Sequence, residues 1–300
     1  MTSSIEGASM STTVLGFIGL GVMGSGMCAN LMVKSGTEVI VFDPVAEALA
    51  SAVDQGGLPA TDVGDVAARS DIVFLSLPSI DQVESVCEEL ASGPRPPRII
   101  VDMSTSDVTR TRALAEVLGE RDVALVDAPV ARMRQAAQDG TLLITVGATD
   151  AQFAELEPWL SCMGSDVIHA GAVGNGQVIK IVNNMVLFLN MNALAEAMTI
   201  GRAAGVDGAL LFETLALGSA DSFALRKTAT ATMIPDEFPE KAFPTNYAIK
   251  DLALALSLAD DQQIAAHAAR QTMSLLERTR DAGYGLSYYP AMIRIVDGRG

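Results

Sequence analysis

The sequence predicts an α/β chain: a doubly wound, mostly parallel sheet in the N-terminal half, an all-helical C-terminal half, and one long helix joining them. Three observations carry this prediction. A short apolar run at 14–18 breaks at Gly19-Leu20-Gly21-Val22-Met23-Gly24, continues into helical periodicity, and returns to an apolar run at 38–42. Strand, glycine turn, helix and strand make a βαβ unit of about 30 residues. Further short apolar runs at 72–77, 99–101, 124–126 and 142–146 alternate with helical stretches, the pattern of a parallel sheet covered by helices on both faces. Beyond Gly171 no strand-like alternation reappears.

Each element follows from local pattern. Met23, Met27, Leu31 and Met32 line one side of the first helix, which closes at Ser35-Gly36. From Gln177 to about Ala204 the chain reads as one long, predominantly apolar helix stopped by Gly205, and helical periodicity recurs at 207–216, 248–260 and 267–282. The expected organisation is an N-terminal extension at 1–13, a nucleotide-binding domain at 14–171 and a helical domain at 172–300. The extension is rich in Ser and Thr and has no basic segment before an apolar one, so it does not read as a signal peptide. A helix apolar on more than one side needs burial on more than one side, which predicts a homodimer or homotetramer.

Composition narrows the function. The chain has 300 residues, with 20 basic and 36 acidic side chains and a net charge of −16. Such a surface repels phosphate backbones and anionic lipid, excluding nucleic acid and membrane as expected partners. No unbroken apolar run reaches the length of a membrane span. Three cysteines without C-x-x-C pairing fit a reducing, cytoplasmic setting rather than a disulfide or zinc framework. Two distant histidines, His169 and His267, leave no set of His metal ligands, and neither has neighbours that suggest a catalytic pair.

The glycine turn is specific because of its context: it ends a strand, opens a helix and precedes a second strand ending in Asp43. Gly19 permits the tight turn, Gly21 lets a pyrophosphate approach the backbone, and Gly24 lets helix and strand pack closely. Val22 and Met23 complete the turn, whose backbone amides and helix dipole favour phosphate. This is the fingerprint of a Rossmann domain. Asp43 lies 19 residues after Gly24, placed to accept hydrogen bonds from ribose hydroxyls, and no Lys or Arg follows closely. A carboxylate there repels a 2′-phosphate, so NAD is the expected cofactor rather than NADP.

Oxidation of an alcohol by hydride transfer needs a proton acceptor at the carbinol oxygen. Lys180 is the only Lys or Arg between Arg134 and Arg202, and it lies on the apolar long helix just after Gly174-Asn175-Gly176. Desolvation there would draw its pKa down towards neutrality. Asn184 lies one turn on, on the same face, with Asn183 beside it.

Six segments occur in order: Gly19-Leu20-Gly21-Val22-Met23-Gly24-Ser25-Gly26-Met27, Asp102-Met103-Ser104-Thr105, Asp127-Ala128-Pro129-Val130, Gly140-Thr141-Leu142, Gly174-x-Gly176-x-x-x-Lys180-x-x-Asn183-Asn184, and Lys250-Asp251-Leu252. Together, over about 14–285, they resemble the β-hydroxyacid dehydrogenases. The resemblance implies a substrate cleft between a Rossmann domain and a helical domain, and reversible NAD(P)-dependent oxidation of a small anionic 3-hydroxy acid to its semialdehyde. It makes Lys180 the general acid/base and Asn184 a substrate-positioning residue. It also implies that Ser104, Thr105, Leu77 and Pro78 line the nicotinamide end, and that Lys250 reaches the cofactor or substrate.

Two departures stand out. Where the family continues with Ser-Gly-Gly, this chain has Ala131-Arg132-Met133-Arg134. That puts a guanidinium where the substrate anion is expected, so Arg132 and Asn183 join Ser104 and Asn184 as expected substrate residues. The Arg is similar to that of sulfolactaldehyde reductases, although Leu187 replaces their serine; sulfolactaldehyde and succinate semialdehyde are the alternative substrates. Near the C-terminus Tyr288 replaces the family's usual aspartate. Imine reduction, or a non-catalytic nucleotide-binding redox sensor, are the remaining alternatives, and the presence of Lys180 with Asn184 argues against both.

Overall fold

The computed structural model describes residues 13–240 and 242–299. The extension expected at 1–13 lies, apart from Thr13, outside the described residues. The chain divides into two compact units, at Lys180/Ile181.

The first unit is built on a nine-stranded sheet. Its strands are β1 (Leu15–Ile18), β2 (Val39–Phe42), β3 (Leu58–Pro59), β4 (Ile72–Leu75), β5 (Ile99–Asp102), β6 (Ala124–Asp127), β7 (Val130–Ala131), β8 (Leu142–Gly147) and β9 (Gly164–Gly171). They run in the order 3-2-1-4-5-6-8-7, with β9 beside β8. The first six are parallel, β8 is antiparallel to β6 and β7, and β9 is parallel to β8. The helices are α1 (Gly24–Lys34), α2 (Ala46–Asp54), α3 (Val63–Arg69), α4 (Ile80–Ser92), α5 (Val108–Gly119), α6 (Arg134–Asp139) and α7 (Asp150–Leu160).

Alternate residues of the buried strands feed two cores. Leu15, Phe17, Val41, Phe74 and Val101 pack with Met27, Cys28 and Leu31 of α1. Ile18, Val73, Leu75, Ile100 and Leu125 pack with Val66 of α3 and with Val83, Cys87 and Leu90 of α4. Burying each such side chain contributes about 1.5–3 kcal/mol, which is why these strands read as unbroken apolar runs. The short strands β3 and β7 and the edge strand β9 escape that criterion. In β9 only Val167 and Ile168 are strongly apolar, and Gly164-Ser165-Asp166 reads as a turn.

Helix α8 (Asn175–Ala203) begins in the first unit and continues through the second. By contacts the division falls inside α8, because the start of α8 is bonded to the sheet. Gly174 N–H and Gln177 N–H both donate to Asp127 at the end of β6, at 2.6 and 2.8 Å. By length and mean hydropathy (1.4 over its most apolar stretch) α8 is long and apolar enough to cross a membrane, although polar residues interrupt its apolar run. In the structure one side of it is buried, through Ile181, Phe188, Met191, Ala195 and Met198.

The second unit continues with α9 (Gly208–Leu217), a π-helical turn (Ala224–Ala229) leading into α10 (Thr230–Met233), α11 (Thr245–Asp261), α12 (His267–Thr279), a second π-helical turn (Arg280–Tyr284), a 3-10 turn (Tyr289–Met292) and α13 (Ile293–Val296). Phe188 of α8 meets the edge of Tyr289 at 5.2 Å between centroids, and Phe243 stacks beside it. Tyr288 is buried, so it contributes to this core rather than presenting an exposed ring.

Candidate active site

Parallel strands β1 and β4 are neighbours, yet the chain leaves them in opposite directions across the sheet. Ligands bind at such a switch point, beyond the carboxyl ends of the strands. The glycine turn lies there. A side chain at Gly19 (φ +95°) would sit 2.2 Å from the Ser76 carbonyl oxygen, and one at Gly24 would sit 1.9 Å from the Gly19 carbonyl oxygen. A Cβ at Gly21 would meet nothing within 4 Å. The turn is closed behind and open in front, as a cradle for a pyrophosphate requires. Val22 is exposed and Met23 half-buried.

Asp43, the residue after β2, has both carboxylate oxygens held. Leu20 N–H donates to one at 2.7 Å and Val45 N–H to the other at 2.8 Å. The carboxylate therefore braces the glycine turn, and each oxygen keeps a lone pair for a ribose hydroxyl. The loop after β4 is fixed by Ser104, whose hydroxyl accepts from Leu77 N–H at 2.9 Å. Ser104 is buried and Thr105 half-buried; Leu77 is half-buried and Pro78 exposed.

Below Ser104 runs a polar network that the sequence reading did not assign. Asp102 accepts from Ser104 N–H (2.9 Å) and from the Ser106 hydroxyl (2.8 Å). Gln177 of α8 donates to the Ser104 carbonyl (2.9 Å) and accepts from Ser106 N–H (3.0 Å). Asp102 and Asp127 are register partners on β5 and β6. Burial pushes both carboxyls up, Asp127 to about 6, against the hydrogen bonds that favour their ionised forms. The signal in the sequence was slight: two apolar runs each ending in Asp. Gly176 has a matching physical reason, since a Cβ there would sit 2.4 Å from the Thr145 carbonyl oxygen. These contacts fix where α8 starts, and so where Lys180 falls on it.

Lys180 is half-buried and closes the first unit. Asn184 follows one turn later on the same helix and is buried. In the second unit the Asn184 amide donates to Asp251 at 2.8 Å, Asn183 donates to the Asn184 carbonyl oxygen at 3.3 Å, and the Lys250 ammonium lies 3.2 Å from Asp251. The Asn183–Asn184 pair and Lys250, far apart in sequence, are thus joined through Asp251, to which the sequence reading gave no role.

Arg132 is a correction. Its guanidinium does not stand free to receive a substrate anion: it donates to the Ser165 hydroxyl (2.9 Å), to Asp166 (2.7 Å) and to the Thr141 carbonyl oxygen. Asp166 belongs to β9, the strand the sequence did not reveal, and its carboxyl is held down by the Ser165 and Arg132 hydrogen bonds. Arg132 also has φ +82°, a conformation natural to glycine and strained for arginine. The backbone keeps the shape of a glycine loop while the side chain is turned to an internal pair.

The three cysteines are buried thiols; burial lifts Cys28 to about 12 and raises Cys87 and Cys162 as well. His169 Nε2 lies 2.8 Å from the Ala148 carbonyl oxygen and its ring stacks on Phe153. Among the described residues no cluster of His, Cys, Asp or Glu has the form of a metal site.

Comparison with known proteins agrees with this fold. Residues 14–171 match the family described as the NAD binding domain of 6-phosphogluconate dehydrogenase, and 174–296 that described as the NAD-binding region of NADP-dependent 3-hydroxyisobutyrate dehydrogenase. The 2-(hydroxymethyl)glutarate dehydrogenase of Eubacterium barkeri is 35% identical over 284 residues, covering 94% of each chain. Human mitochondrial 3-hydroxyisobutyrate dehydrogenase is 35% identical over 253 residues, 82% of this chain and 75% of that one. The Mycobacterium tuberculosis 3-hydroxyisobutyrate dehydrogenase, solved with L-serine, superposes with a TM-score of 0.88 at 28% identity, covering 95% of this chain and 99% of that one. The chain belongs to the β-hydroxyacid dehydrogenase family and is an NAD-dependent oxidoreductase acting on CH–OH groups.

Proposed function

We propose that this enzyme interconverts a small 3-hydroxy carboxylate and its semialdehyde, with Lys180 as general acid/base. The observation that carries the reading is Lys180 one helical turn before Asn184, whose amide is oriented by Asp251. An alcohol–carbonyl pair needs a group that exchanges one proton with oxygen and a second that holds that oxygen in line. A half-buried ammonium and a fixed carboxamide meet those two needs. Both relatives' names describe a carboxylic acid carrying a hydroxymethyl group on the adjacent carbon, which supports the same class here.

When bound, the nicotinamide supplies or takes up the hydride. The chain's own residues do the rest. Lys180 Nζ gives its proton to the aldehyde oxygen in reduction and takes it back in oxidation. Asn184 holds the substrate oxygen, its amide unable to rotate freely while Asp251 accepts from it. Asn183 and Lys250 supply further donors for the carboxylate, a role that passes to them because Arg132 is committed to Asp166. Asp43 favours NAD over NADP, since its carboxylate is pinned by two backbone amides and cannot swing away from a 2′-phosphate.

The direct test is NADH formation with 3-hydroxy acids (3-hydroxypropionate, 3-hydroxyisobutyrate, 2-(hydroxymethyl)glutarate) against their 2-hydroxy isomers (lactate, 2-hydroxybutyrate, 2-hydroxyadipate). Turnover of at least one 3-hydroxy acid with the 2-hydroxy acids inert is expected. Preference for a 2-hydroxy acid, or for a sulfonate over the matching carboxylate, would overturn the substrate class.

A further inference from the structure

The loop after β7 carries two arginines with opposite fates. Arg132 is spent in its pair with Asp166. Arg134, at the first position of α6, is exposed and makes no hydrogen bond or ion pair with the described residues. Its backbone is nevertheless fixed. Asn30 of α1 donates to the carbonyls of Ala137 and Gln138 at 3.0 and 2.9 Å, and a Cβ at Gly26 would lie only 2.9 Å from the Ala137 backbone. So α6 is clamped onto α1, and Arg134 is held at the first position of α6.

Arg134 there lines an open cavity of about 300 Å³ together with Leu20, Gly21 and Val22 of the glycine turn, and with Ser51 and Gln55 of α2. Among the described residues no acidic side chain lines it. In a protein of net charge −16, a cavity whose one formal charge is positive, opening on the backbone that cradles phosphate, is a site for an anion. We propose that Arg134 is a phosphate ligand of the bound dinucleotide, its guanidinium reaching the pyrophosphate at the glycine turn. This rests on the dinucleotide assignment. An arginine fork matches phosphate oxygens and adds a charge-assisted contact to those of the turn amides.

The test is calorimetric titration of the full-length protein, wild type, Arg134→Ala and Arg134→Lys, with NADH, NADPH and ADP-ribose. Arg134 has no hydrogen-bond or ion-pair partner among the described residues, so both variants should keep the wild-type melting temperature. The expected result is a ten- to hundredfold weaker Kd of Arg134→Ala for NADH and for ADP-ribose alike, partly restored in Arg134→Lys. The ratio of NADH to NADPH affinity should not change, and the wild type should lose affinity with added salt more steeply than Arg134→Ala. Wild-type affinity for NADH in Arg134→Ala would overturn the proposal while leaving the dinucleotide assignment intact. A loss confined to NADPH would overturn it in favour of a 2′-phosphate contact. No NADH binding by the wild type would overturn the assignment itself.

Discussion

Asp251 shows how much one unassigned carboxylate decides. One of its oxygens accepts from the Asn184 amide at 2.8 Å and the other lies 3.2 Å from the Lys250 ammonium, which makes it the expected positioning residue for both. Asp251→Ala should lower kcat/KM about ten- to hundredfold through loss of a buried, charged hydrogen bond, with Kd for NADH unchanged. Asp251→Asn, which keeps one acceptor, should recover part of it. Equal losses in the two variants, or a weakened NADH Kd, would count against the positioning role. At the cofactor end, Asp43 is expected to make NADPH bind at least about tenfold more weakly than NADH. Equal dissociation constants would contradict the pinned carboxylate.

At the level of elements, the join of α8 to the sheet is the sensitive point. Asp127 has a carboxyl at about 6 against an ordinary 3.8, raised chiefly by burial. The folded state therefore holds that proton more tightly than the unfolded chain. Its contribution to stability is full below about pH 4 and is lost as pH rises past about 6, on the order of 2–3 kcal/mol in all. Urea unfolding of wild type and Asp127→Asn between pH 4 and 7 should show this as a slope that flattens in the variant; identical slopes would show that Asp127 is not the titrating group.

The βαβ unit, the glycine turn, Asp43 and the long helix were legible because each follows from near-neighbour pattern. So was the place of Lys180 on that helix, as its one cation before Arg202 in the last turn. Strand β9 was not, because an edge strand needs only one apolar face, and with it went the partner of Arg132. Asp102, Asp127 and Gln177 were hidden for a related reason: their partners lie far along the chain, and only the fold brings them together.

For the whole molecule, α8 leaves Val182, Val186 and Ile200 exposed by 41–67%, a face too apolar to stay in water on one helix. A second copy of the chain is its expected cover. Light scattering at micromolar concentration should give at least twice the 31.3 kDa chain mass, and a Val186→Lys variant should shift towards monomer; a wild-type monomer would refute this. The most direct measurement is on Lys180 itself: kcat for Lys180→Met with a 3-hydroxy acid and NAD, alongside Kd for NADH. Removal of a general acid/base predicts kcat lower by about 10²–10⁴-fold with the NADH affinity of the wild type. Full turnover by the variant would contradict the mechanism.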